Sequence, residues 1–275
     1  NRIVYKIFCF YFVGICHSWL WQFIACFSQM LEEGNELKEQ FKSEYLKFMM
    51  NPWHWLVIGA LLLCVPALVI FLNSKPDQLT QQFVLEQLLQ SLYLGQAGFV
   101  SLAALFIGQE FTGSSLRTSF LTCPNRLKFI ISKLAILLCI EIILLVAVIS
   151  LCVLIAQGYY NINLLSNIKH VLTILFPACI SILTFALLSG IFVFISQSFI
   201  LILGISLSLL LGLGQMLLQF SSFFRNLPLL ASMNCFYTYP LSLYYPVWQG
   251  LGIQIVWLLI VFLFATLILI GRNVR

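Results

Sequence analysis

The sequence has few charged residues and lacks the motifs of several enzyme classes. Only 8% of its 275 residues are charged, whereas about a quarter are charged in an ordinary soluble domain. Asp77 is the single aspartate, and the patterns GxxxxGK[ST], GxSxG and HExxH do not occur. GxxxxGK[ST] is the usual phosphate-binding loop, and GxSxG and HExxH mark two common kinds of hydrolase site. We therefore expect neither an enzyme nor a cofactor held by this chain.

Metal and nucleic-acid chemistry are also unsupported. The nine cysteines form no CxxC pair, and the three histidines lie far apart. Four cysteines fall inside apolar runs, where a thiol behaves as a small hydrophobe: Cys64, Cys139, Cys152 and Cys179. The net charge of +5 comes from basic residues in loops, with no basic face interleaved with aromatics, so we expect no nucleic-acid partner.

Apolar residues dominate what is present. They make up 61% of the chain, and the mean hydropathy is +1.03. A helix needs roughly 20 apolar residues to cross a bilayer, and six stretches qualify. The sequence thus predicts an all-α polytopic membrane protein in a lipid bilayer, with spans at about 52–72, 88–107, 129–156, 171–195, 199–220 and 251–270.

The distribution of charge gives the expected orientation. The stretch 108–133 carries four Lys or Arg residues against Glu110 alone, and Arg272 and Arg275 follow the last span. Lys and Arg are enriched in cytoplasmic loops. This pattern predicts a multi-pass plasma-membrane protein whose 108–133 loop and C-terminus are cytoplasmic.

Two segments outside the spans have their own patterns. Residues 37–50 form an amphipathic helix by spacing, with Tyr45 and Phe48 on the apolar face and Glu44 and Lys47 on a face expected to be solvated. Residues 221–250 contain three prolines among Tyr and Trp residues. Proline interrupts helices and these aromatics favour the membrane interface, so short re-entrant helices are expected on the outer side.

Glu141 is the one ionisable residue placed deep inside a span. Such residues usually face a bundle interior or a wet cavity and often serve function. Two interpretations stay open. Glu141 lines a transport pathway, or it is a protonated or hydrogen-bonded glutamate at a helix contact.

Residues 1–29 form an apolar segment with a basic start. Three interpretations are open: an extra span, an interfacial or re-entrant helix, or a segment upstream of a natural start at Met30. We favour the second, because a span would put Arg2 and Lys6 outside, against the positive-inside tendency.

The order Glu110-Phe111, Gly113-Ser114, Leu116-Arg117, Pro124, Arg126, Lys133 resembles the loop after the second span in type-2 export permeases of ATP-binding-cassette (ABC) transporters. The resemblance implies one permease domain over 30–275, of bacterial origin, in which 37–50 is an elbow helix and 108–133 is a coupling loop.

The same resemblance implies two protein partners and a class of cargo. It implies a cytoplasmic ABC ATPase that binds ATP and Mg, a second permease copy in a homo- or heterodimer, and a drug, bacteriocin or other peptide as cargo. The ATPase-coupling residues it implies are Glu110, Phe111, Gly113, Arg117, Arg126 and Lys133.

The alternative is a passive channel or an ion-coupled secondary transporter. That class typically shows inverted repeats and several intramembrane charges. We find neither pattern in the sequence.

Overall fold

A computed structural model describes residues 35–72, 80–112, 126–160 and 168–271. Within these ranges the regular elements are helices, and no strand occurs. The α-helices are α1 (Asn35–Met50), α2 (Pro52–Phe71), α3 (Gln81–Gly108), α4 (Arg126–Tyr160), α5 (Ile168–Ser196), α6 (Phe199–Ser208), α7 (Gly214–Phe220), α8 (Pro228–Ala231) and α9 (Val247–Gly271). Residues 1–29, for which three interpretations were open, lie outside the described residues.

Among the described residues, six helical segments are long and apolar enough to cross a membrane. They are α2, α3, α4, α5, the pair α6 and α7 taken together, and α9. For the described residues this confirms the predicted all-α architecture with six helices long and apolar enough to span a membrane.

The start of α2 follows the sequence signal. Asn51 lies before Pro52, and its side-chain oxygen accepts a hydrogen bond from the Trp53 amide at 3.1 Å. A capping Asn stabilises one of the unpaired amides at a helix start, and proline suits the first helical position.

The helices extend beyond the apolar stretches, and this corrects several predicted boundaries. Between the first two predicted spans, the chain is already helical from Gln81, because Thr80 caps α3 by accepting from the Phe83 amide at 3.3 Å. The last long helix begins at Val247, so 247–250 belong to it and not to the preceding segment. Hydropathy finds the part of a helix that matches lipid, whereas the backbone hydrogen bonds continue into its polar ends.

The predicted loop 108–133 is also shorter than expected. Residues Gln109–Phe111 form a 3-10 turn, and α4 is already helical from Arg126. Lys133 therefore lies two turns into a long helix, which fixes its position relative to the bundle.

The centre of the bundle consists of α3 and α5, with α4 beside them. In the apolar part of each span, 67% of the residues of α3 and 61% of those of α5 are buried, against 28% in α2 and in α9. The small residues of α3 are at the contacts: Ala103 and Ala104 are fully buried, and Gly98 lies against Leu61 of α2. Small side chains let helices approach closely in lipid, so these residues form a contact face of α3.

The fifth span is not a straight helix. A π-helical turn, Leu209–Leu213, separates α6 from α7, and Gly212 has a φ of 122°. That region of backbone space favours glycine. Gly212 therefore marks a bend in the span.

The segment between α7 and α9 holds short helices, as its prolines predict. They are Ser222–Asn226, α8 and Met233–Phe236. Asn234 organises the turn after them, since its amide donates to the Leu241 and Tyr245 carbonyls and its oxygen accepts from the Leu241 amide at 2.9 Å. Tyr239 accepts a 2.7 Å hydrogen bond from Gln82, which ties the segment to the start of α3.

Candidate functional site

Four charged side chains meet where α1, α3 and α4 come together. The Lys133 ammonium lies 2.6 Å from Glu110 Oε1 and 3.0 Å from Glu44 Oε2. The Lys47 ammonium lies 2.6 Å from Glu44 Oε1 and 3.1 Å from Glu110 Oε1. Each carboxylate thus contacts both ammonium groups. We call Glu44, Lys47, Glu110 and Lys133 the four-charge cluster.

Three of the four side chains in the cluster are buried. The side chains of Lys133, Glu110 and Glu44 are 0%, 1% and 5% exposed, and that of Lys47 is 38% exposed. Two carboxylates and two ammonium groups leave the cluster with no formal charge. Unpaired charges are costly to bury, so the mutual pairing explains how three of these groups stay inside the protein.

The placement of Glu44 and Lys47 corrects the expectation of a solvated helix face. Glu44 and Lys47 pair at (i, i+3) spacing, but Glu44 faces the bundle together with Tyr45 and Phe48. The reason is that Glu110 and Lys133 supply partners from elsewhere in the chain. Spacing along one helix gives no information about such partners.

Aromatic rings enclose the cluster on the bundle side. The Lys133 ammonium lies 4.9 Å from the centre of the Phe106 ring and 5.6 Å from that of Phe129. A cation over a ring face is attracted by the ring quadrupole. These contacts hold Lys133 in place from α3 and from its own helix.

The end of α1 is fixed to the start of α2. The His54 ring stacks on Phe48 with centroids 4.5 Å apart, and His54 Nδ1 is 2.9 Å from the Phe48 carbonyl oxygen. Trp55 donates to the Met49 carbonyl at 3.1 Å, and the Asn51 amide donates to Gln109 Oε1 at 3.2 Å. The connection between α1 and α2 is therefore bonded to the end of α3.

Lys47 is the cluster member nearest to solvent, and its pKa is shifted. Burial acts to lower the pKa, but the hydrogen bonds and charges of Glu44 and Glu110 together outweigh burial and raise it above its ordinary value. An opposite charge at this distance favours the charged form. Lys47 is consequently an ammonium throughout the physiological range.

Of the other predicted coupling residues, two make contacts with neighbouring spans and two are not described. Phe111 packs edge-on against Phe194 at 6.1 Å between centroids, and Arg126 donates a 2.5 Å hydrogen bond to the Leu269 carbonyl. The second contact puts a cation at the end of α9, where helix carbonyls lack partners and the dipole is negative. Gly113 and Arg117 lie outside the described residues.

Glu141 is fully buried in α4, and neither carboxyl oxygen has a hydrogen-bond partner within the described residues. Buried polar atoms usually have partners, so a buried carboxyl group without a hydrogen bond calls for an explanation. The same described part of the chain contains no group of three or more His, Cys, Asp or Glu side chains suited to a metal.

Glu110 and Lys133 were predicted as site residues, whereas Glu44, Lys47 and His54 were not. The sequence offered one signal. The amphipathic helix 37–50 carries charges of both signs, and the basic stretch 108–133 contains a single glutamate, Glu110. This pattern showed that opposite charges were available, but not which residues pair. Comparisons with protein-family models, curated proteins and solved structures found no match to the chain.

Proposed function

We propose that the chain is the membrane-spanning subunit of an ABC exporter, driven by a separate ATPase. The observation that carries the proposal is the four-charge cluster. It joins a helix outside the spans to the ends of two spans, next to the basic loop predicted to be cytoplasmic. A movement imposed on α1 or on that loop would then pass directly into α3 and α4.

In this proposal α1 is an elbow helix at the membrane interface. Its exposed residues include the apolar Leu46 and Met50 as well as Lys42. A helix with apolar and cationic exposed residues suits the boundary between headgroups and acyl chains. The segment 221–246 would be re-entrant on the opposite side, where its exposed Tyr239 and Leu243 would meet lipid.

The proposed mechanism assigns different tasks to the coupling residues. Glu110 and Lys133 are too buried to touch a soluble partner, so they would transmit force rather than dock the ATPase. Docking would fall to the loop that contains Gly113 and Arg117, with Phe111 and Arg126 joining the loop to α5 and α9. ATP and Mg would bind to the ATPase alone.

Closure of two ATPases around ATP would switch a pair of permease copies, alike or different, from inward-facing to outward-facing. Glu141 is fully buried in the single chain, so it would line the pathway for a hydrophobic or amphipathic cargo, such as a drug, a bacteriocin or another peptide, only once the bundle has switched. The setting would be a bacterial plasma membrane with the C-terminus in the cytoplasm.

The test is co-purification of the tagged chain with an ATPase that contains GxxxxGK[ST] and is encoded beside it. The double variant Arg117→Ala with Thr122→Arg keeps the charge of the loop but moves it, so insertion should be normal and ATPase binding weak. Charge contacts at interfaces typically cost about 2–5 kcal/mol when truncated. Unchanged binding in this variant would remove Arg117 from the docking surface.

A channel or ion-coupled transporter is the second candidate, and the unpartnered Glu141 is the observation that favours it. Intramembrane carboxylates occur in ion and proton pathways. Flux through proteoliposomes that contain no ATPase would decide for this candidate.

A further inference from the structure

A groove with a volume of about 680 Å³ opens on the bundle surface between α4, α5 and α9. Its lining is mostly apolar and includes Val146, Leu172, Phe176 and Trp248. All four are strongly exposed in the single chain. Exposed apolar side chains of a span are expected to face lipid, and the concave form of this surface is the feature that it shares with ligand-binding sites.

The groove lies near the membrane face opposite the four-charge cluster. On α4 its lining residues Val146 and Ser150 are 13 and 17 positions after Lys133, which is about 20–25 Å along a helix. On the other two helices the lining residues lie near the starts of α5 and α9.

The side chain of Lys169 provides a positive charge near this end of the groove. Lys169 is exposed and lies one turn before Leu172 and Thr173 on the same face of α5. Among the described residues its ammonium has no ion-pair partner, and residues 161–167, NINLLSN, contain no acidic residue. The exposed His170 is beside it. The mouth of the groove is therefore cationic.

Trp248 completes the site, because indole rings prefer the headgroup level of a bilayer. An apolar channel below a cation and an indole complements a ligand with a long apolar tail and an anionic head. We propose that the groove binds one acyl chain of an anionic phospholipid, with Lys169 facing its phosphate. The proposal needs only the six spans and is independent of the ATPase.

The test uses the full chain in vesicles of two matched compositions. One contains phosphatidylglycerol with a diazirine in the acyl chain, and the other contains phosphatidylcholine with the same chain. After irradiation, peptides covering 146–150 and 172–179 are quantified relative to the exposed apolar surface at Leu211 and Met216. One lysine near a surface favours an anionic headgroup by about fivefold, so about fivefold more groove labelling is expected from phosphatidylglycerol.

Two variants and one control define the outcome. Lys169→Gln should abolish the preference for phosphatidylglycerol, whereas Lys42→Gln, which removes an exposed cation from α1, should leave it intact. Ser150→Trp should fill the groove and reduce labelling from both lipids. Equal labelling by the two lipids, or an unchanged preference in Lys169→Gln, would overturn the proposal. Groove peptides that stay unlabelled by both lipids while the surface at Leu211 and Met216 is labelled would also overturn it, and would point to a second copy as the occupant.

Discussion

Replacing Lys133 by methionine tests whether the four-charge cluster holds α1 against the bundle. Methionine has a similar length and no charge, so the change removes the ammonium and leaves the packing volume nearly intact. Glu110, which is 1% exposed, would retain only Lys47 at 3.1 Å within the cluster. Glu44 would likewise retain only its Lys47 contact at 2.6 Å.

The expected loss is large because two buried carboxylates would share one half-exposed ammonium. Removing one partner of a buried ion pair typically costs about 3–5 kcal/mol. Lys133→Met should therefore lower the free energy of unfolding by about that amount. Reversible unfolding in mixed micelles, followed by circular dichroism, measures it. Lys128→Met is the control, since Lys128 is an exposed lysine of the same helix and exposed charge contacts contribute about 1 kcal/mol at most.

A double variant separates charge from packing. Lys133→Met with Glu110→Gln removes one charge of each sign and leaves the Glu44–Lys47 pair. The two effects should be non-additive by about 1–3 kcal/mol, as expected for residues in contact. Additive losses, or a loss in Lys133→Met no greater than in Lys128→Met, would refute the claim that the cluster is a coupled buried unit.

Three further predictions concern other sites. The pKa of Lys47 is raised in the folded state. Its stabilising contribution is therefore fully present below the unfolded lysine pKa of about 10.4 and is lost as the pH rises through the higher folded pKa. The stability difference between wild type and Lys47→Met should shrink over that alkaline range. Gly250→Ala should destabilise the chain, because a Cβ there would lie 1.9 Å from the Ala231 carbonyl oxygen, while Gly252→Ala, in open space, should not. Glu141→Leu should raise the free energy of unfolding by about 1–3 kcal/mol, since it removes a buried group without partners.

Melting curves with matched pH series check all three. A constant difference between wild type and Lys47→Met from neutral to strongly alkaline pH would contradict the first. Equal melting temperatures for the two alanine variants would argue against the tight contact at Gly250. Destabilisation by Glu141→Leu would mean that its carboxyl group has a partner.

The apolar stretches predicted the number of spans because crossing a bilayer requires length and hydropathy, and both can be read locally. The start of α2 was also predictable, since Asn51 and Pro52 act on their own neighbours. The starts of α3 and α9 were missed because their first turns are polar or aromatic and resemble a loop in composition.

The candidate site was only half predictable for a related reason. Glu110 and Lys133 were singled out as charged residues in a loop, but their partners on α1, Lys47 and Glu44, lie 63 and 89 positions earlier in the sequence. A contact over such distances depends on how α1 folds back on α4. Helical periodicity therefore assigned Glu44 to a solvated face, whereas the packed bundle buries it.

The most direct test of the proposed function is ATP hydrolysis and flux in one set of proteoliposomes. Vesicles are prepared with the chain alone, with the co-purified ATPase alone, and with both, and a fluorescent amphipathic peptide serves as cargo. The proposal predicts no hydrolysis by the chain alone and ATP-dependent peptide movement only when both are present. Hydrolysis by the chain alone, or peptide or ion flux without ATPase and ATP, would contradict it.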